Sequence, residues 1–198
     1  MIPRSRFTLG VAVGCVVVLA LLGTAGLVTR SRPAPAQTRI DAADPAATYR
    51  ALAATKSRGR VVVLVDRSAR VSDILYLQSY LDEAHGEGEA VVGHRNLSSA
   101  LIAAGIAREV IVVLPPAEWE EFVTFAETSP TMTRTDQGFR IRQYGSAVIY
   151  TNPELLGFPK ERPITVVRAD LASEYPAEFL DRLLAPAYSD VVVSQAGW

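Results

Sequence analysis

Arg60-Val61-Val62-Val63-Leu64-Val65-Asp66 is the stretch that decides the fold. Five consecutive apolar residues, four of them β-branched valines, are too few for a helix. They suit a strand buried on both faces. Val110 to Leu114 repeats the pattern, and Pro115-Pro116 ends it. Two such runs separated by a helical stretch predict adjacent or near-adjacent parallel strands at the centre of one sheet.

Working outward, helical signals alternate with these runs. Asp44-Pro45 reads as an N-cap followed by proline in the first turn, and opens a helix reaching about Lys56. Ser72 opens another, with Ile74, Leu75, Leu77, Tyr80, Leu81 and Ala84 at helical spacing and His85-Gly86 at its end. Glu89 to Gly93 reads as a strand, and Asn96 as the cap of a small helix reaching about Ala104. Ala117 to Glu127 continues the series. Its Glu118, Glu120 and Glu121 read as a solvated face, with Trp119 and Phe122 turned to the core. Gly138 to Arg142 and Ser146 to Thr151 flank Gln143-Tyr144-Gly145 and predict a β-hairpin with Arg140 and Arg142 on one face. Asn152-Pro153 begins a turn. Pro163 to Arg168, Pro176 to Leu184 and Asp190 to Ser194 complete a strand, helix, strand ending. The expected fold class is α/β, a three-layer sandwich around a mainly parallel, mixed sheet, preceded by one N-terminal transmembrane helix.

That helix is the reading of Phe7 to Val28, an apolar run with no internal charge. About twenty residues at 1.5 Å each span a hydrocarbon core of roughly 30 Å. The run exceeds the apolar core of a cleaved signal peptide, and Ala34-Pro35-Ala36, the one small-x-small site, lies beyond Arg30 and Arg32. The expected division is a tail at residues 1–6, an anchor at 7–28, a linker at 29–43 and a globular domain at 44–198. Arg4 and Arg6 nearly balance the basic residues after the span. With the free amino terminus added, they favour a single-pass protein of the cytoplasmic membrane whose C-terminal domain is extracytoplasmic.

Of 198 residues, 20 are basic and 21 acidic, for a net charge of −1. That balance gives no support to nucleic-acid binding. Cys15, the only cysteine, lies inside the apolar run, so the domain has neither a disulfide nor a thiol nucleophile. Ala12-Val13-Gly14 before it is a weak lipobox, and Gly10-x-x-x-Gly14 is a chance-level helix-pairing motif.

Open α/β sheets bind ligands beyond the carboxyl ends of their strands. Those ends supply Asp66 and Ser68, then His94, Arg95 and Asn96, then Asp170. Asp66, Ser68, His94 and Asp170 form a candidate catalytic set, with Asp66 and Asp170 as metal ligands. Each also has an ordinary use in a turn or cap. Val61 to Ser68 resembles the opening strand of von Willebrand A domains, whose metal motif is D-x-S-x-S. Here Asp66-Arg67-Ser68-Ala69-Arg70 has arginine where the last serine belongs, and the later threonine and aspartate ligands have no counterpart. The resemblance covers one strand and assigns no family.

Dinucleotide-binding, P-loop and G-x-S-x-G motifs are absent from the sequence, and two histidines exclude a histidine-rich metal site. Asn96-Leu97-Ser98 fits a glycosylation sequon. The cofactor stays unspecified. The expected function is a membrane-anchored binding or assembly module of the bacterial envelope, partnered by the bilayer through residues 7–28 and by an envelope protein. The alternative is a metal-dependent hydrolase or transferase at the strand ends.

Overall fold

A computed structural model describes residues 36–55, 58–65, 92–93, 96–159, 163–169 and 174–196. The apolar run at 7–28, the helix expected from Ser72 and most of the strand expected at 89–93 lie outside the described residues. Val92 and Gly93, which are described, belong to no strand.

The strands are β1 (Thr38–Ala42), β2 (Arg60–Val65), β3 (Ala107–Val113), β4 (Thr133–Thr135), β5 (Gly138–Gln143), β6 (Ser146–Thr151), β7 (Ile164–Ala169) and β8 (Val191–Gln195). The described helices are α1 (Pro45–Ala54), α2 (Leu97–Ala103), α3 (Pro116–Thr128) and α4 (Ala177–Leu184). One mixed sheet holds all eight strands in the order β1-β8-β7-β2-β3-β6-β5-β4. The six strands from β1 to β6 in that order run parallel, and β5 and β4 add antiparallel at one edge.

The two apolar runs are hydrogen-bonded parallel neighbours, as expected. Val63 of β2 sits opposite Ile111 of β3 on one side and Val166 of β7 on the other. Every residue of β2 is buried. Alternation then divides the side chains between two cores. Val62, Leu64, Val110 and Val112 pack on the first face, with Leu52 of α1, Leu101 of α2 and Phe122 of α3. Val61, Val63, Ile111 and Val113 pack on the second, with Phe179, Leu180 and Leu183 of α4.

Local chemistry sets the element ends. The Asp44 carboxylate accepts a hydrogen bond from Ala47 N–H at 2.6 Å, and Pro45 occupies the first turn of α1. The β5–β6 hairpin closes on Tyr144 (φ 49°) and Gly145 (φ 78°). Two positive φ values in a two-residue loop make a type I′ turn, whose twist matches the flanking strands. In α3, Phe122 is fully buried and Trp119 stacks on it at 5.5 Å, while Glu120 and Glu121 are exposed.

Two strands depart from expectation. β1 falls within residues 29–43, the stretch read as linker, and belongs to the same compact unit, Pro35–Trp198, as the rest of the sheet. Its sequence, Thr-Arg-Ile-Asp-Ala, carries little apolar signal, and pairing with β8 is what makes it a strand. β4 has three residues, too few for a period to show.

Candidate functional site

Asp66, Ser68, His94, Arg95 and Asp170 all lie outside the described residues, so their mutual geometry is not described. The strands that lead to two of them are. β2 ends at Val65 and β7 at Ala169, and these strands are parallel neighbours with Val65 opposite Arg168. At the same end, Tyr175 Oη–H donates to the Val113 carbonyl at 2.8 Å. Leu114 N–H donates to the Thr151 carbonyl.

Asn96 stands at the N-cap position of α2, but its side chain does not bond forward into the helix. Its Oδ1 accepts from Gly93 N–H at 2.7 Å, and Gly93 C=O accepts from the N–H groups of Asn96 and Leu97. The residue closes the turn that precedes the helix instead of capping the helix. Asn96 and Ser98 are each 8% exposed. Burial leaves the sequon unsuited to a glycan, which needs a surface loop.

A cleft that the sequence did not signal opens on the second face of the sheet. It is a depression of about 650 Å³, open to solvent, with Val61, Glu109 and Ile111 as floor and Gln137, Gly157 and Phe158 among its walls. Drug-sized ligands occupy pockets of roughly 300–1,000 Å³. Asn152 sets the course of the loop wall. Its Oδ1 accepts from the N–H groups of Glu154 at 3.1 Å and Leu155 at 2.8 Å, turning the chain after β6. Phe158 is held by its neighbours. The Arg182 guanidinium lies 3.8 Å from its ring centroid, and the Tyr188 ring 5.0 Å away. Gly157 allows Gln137 close approach, since a Cβ there would lie 2.7 Å from Gln137 Nε2. Floor and walls come from segments far apart in sequence, so no local motif foretells the cleft.

Two arginines carry buried polar atoms. Arg60 is 3% exposed and its Nη1 donates to Thr165 Oγ1 at 2.7 Å. Burial lowers its pKa, and the charge of Asp190 opposes that shift. The guanidinium stays protonated all the same. Arg140, beside Ile149 on the hairpin, carries a buried Nε with no hydrogen-bond partner. Arg142 shares its face but is exposed.

Tyr150 is buried in the first core, and burial pushes its phenol well above the usual tyrosine range. The unfolded chain then releases this proton near pH 10 while the folded chain retains it. Stability contributed by the neutral phenol is present below pH 10 and lost as pH rises further. We predict that unfolding free energy falls above about pH 10, by at most about 1.4 kcal/mol per pH unit from this group. Denaturant titrations from pH 8 to 11 should show a shallower decline in Tyr150→Phe. Equal slopes in the two proteins would refute the assignment.

Among the described residues, no group of three His, Cys, Asp or Glu side chains is placed to hold a metal ion. None of the described helices is long and apolar enough to cross a membrane. Compared with known proteins, the chain matches no family model, no curated protein and no solved structure.

Proposed function

We propose that this chain is a membrane-tethered binding or assembly module of the bacterial envelope. In this reading a three-layer α/β sandwich is held by a single span at residues 7–28, with the domain on the extracytoplasmic side. The cleft on the second face carries the proposal. A parallel sheet gives it a rigid floor, and the pinned Phe158 ring gives it an aromatic wall. Preformed concavity with a few polar groups is what a binding site needs. The apolar run supports the tether through its length.

The test is made on the full chain in its own membrane. A photo-crosslinking residue replacing Pro159, on the cleft wall, should capture one discrete partner or ligand. The same residue replacing the exposed Arg50 on α1, whose helix packs on the other face, should not. Identical adduct patterns at both positions would sink the proposal. Protease accessibility in spheroplasts tests the orientation: digestion of the domain only after lysis would contradict an extracytoplasmic placement.

A second reading is favoured by the adjacency of β2 and β7. It is a metal-dependent hydrolase or transferase with Asp66 as principal ligand, Asp170 as second ligand, His94 as ligand or general base, and Ser68 in support. Asp66 and Asp170 directly follow, in sequence, the ends of neighbouring parallel strands, and strand ends are the usual location of an α/β site. Calorimetric titration with Mg²⁺, Mn²⁺ and Zn²⁺ should then show saturable heat that Asp66→Ala abolishes. No heat from any of the three ions would dispose of this reading.

A further inference from the structure

The outer edge of the sheet is β1, and its sequence is complementary to itself. Thr38 N–H donates to the Asp190 carbonyl at 2.8 Å, and the Ala42 carbonyl accepts from Ala196 N–H at 2.9 Å. Backbone groups of alternate residues in a strand point the same way, so Thr38, Ile40 and Ala42 turn theirs toward β8. The N–H and C=O groups of Arg39 and Asp41 therefore point away from the sheet. Both residues are exposed, and their side chains share one face, with Ile40 on the other packing against the first core.

We propose that two copies of this chain join through β1, antiparallel and centred on Ile40, to make one continuous sheet across a two-fold axis. In that register Arg39 lies opposite the partner's Asp41, and Asp41 opposite the partner's Arg39. Both are hydrogen-bonded positions, so each pair exchanges two backbone bonds and sets unlike charges face to face. Ile40 meets its own copy at the non-hydrogen-bonded position, where Cα atoms approach to about 4.5 Å. The charges also reject the neighbouring symmetric registers. Centring on Arg39 or on Asp41 would oppose like charges. Centring between residues would set outward backbone groups against inward ones.

The opposite edge lacks this character. β4 is three residues long, and its Arg134 is already paired with Glu127. Short edges and committed charges discourage strand addition. By contrast β1 offers five residues without proline or lysine. The pairing is isologous, as expected for a two-fold homodimer. It is independent of the cleft, which lies elsewhere on the sheet.

Disulfide trapping in the full-length chain, with Cys15→Ser as background, tests both contact and register. Ile40→Cys should form a covalent dimer rapidly under mild oxidation, because its Cα separation suits a disulfide. Thr38→Cys should not, since the two copies of residue 38 would lie about 13 Å apart, four residues along the strand. Arg39→Asp should lower the yield from Ile40→Cys about ten-fold, as two attractive pairs become repulsive. Adding Asp41→Arg should restore it. Absence of the Ile40→Cys dimer overturns the proposal. Equal trapping at Thr38 overturns it too, because that reports association through another surface. So does a yield indifferent to the charge reversal.

Discussion

Val63→Asp is expected to leave no folded domain. Val63 has no solvent exposure and stands at the middle of β2. Its flanking partners are Val166 and Ile111, and all three belong to the core that α4 covers. An ionised carboxylate placed there would sit among the apolar side chains of that core. A buried, unpaired charge costs several kcal/mol even after relaxation, and whole domains are stable by only about 5–15 kcal/mol. Protonation would relieve the charge but leave a polar group among valines. Circular dichroism and limited proteolysis of the full-length chain should show loss of cooperative unfolding and rapid digestion. Val63→Ala is the matched control. It removes volume without adding charge and should cost about 1–3 kcal/mol while preserving the fold. A Val63→Asp protein that unfolds cooperatively near the wild-type midpoint would mean that β2 is not central.

The contrast between β2 and β1 shows which parts of this fold are legible in the sequence. Val61–Val65 of β2 and Val110–Val113 of β3 are buried on both faces, so each of those positions selects for apolar residues and the run announces itself. The β5–β6 hairpin is legible for a different reason, because Tyr144-Gly145 supplies the turn and the flanking residues alternate. β1 sits at an edge, with only Ala42 buried, and polar residues satisfy it equally well in a loop. Its strand character comes from β8, some 150 residues away in sequence, and no local window contains that information. The cleft is hidden in the same way, because Gln137 and Gly157 meet only after the hairpin and the following turn have folded. Asn96 illustrates a subtler limit. Its residue type and position are those of a cap, yet Gly93 N–H captures the side chain. Asx side chains serve loop and helix donors alike, and geometry chooses between them. The strand-end set rests on where α/β sheets carry their chemistry. β2 and β7, the strands that precede Asp66 and Asp170 in sequence, are neighbours, while the two aspartates themselves lie outside the described residues.

Gly138→Ala is expected to be among the most destabilising single-methyl additions in this chain. Gly138 opens β5 directly after the two-residue turn from β4, paired with Thr135. Its φ is +127°, a region closed to residues with a side chain. Space is lacking as well. A Cβ at this position would fall 2.1 Å from the Tyr150 carbonyl oxygen and 3.2 Å from Trp119 Cη2. The first obstacle is backbone of a neighbouring strand and cannot rotate away. Relief therefore requires β5 to shift against β6, which disturbs Phe139 and Tyr150. Those rings pack with Phe122 at centroid distances of 5.7 and 5.3 Å, so the strain passes into the first core. Backbone strain and overpacking together should cost about 3 kcal/mol or more. Gly145→Asn separates the two contributions. Gly145 also has positive φ, but nothing lies within 4 Å of its Cβ position, and asparagine tolerates that region. It should change stability by no more than about 1 kcal/mol. Urea unfolding of the two variants under identical conditions gives both values. A Gly138→Ala loss no greater than that of Gly145→Asn would show that β5 and β6 do not approach as closely as the Tyr150 carbonyl contact implies.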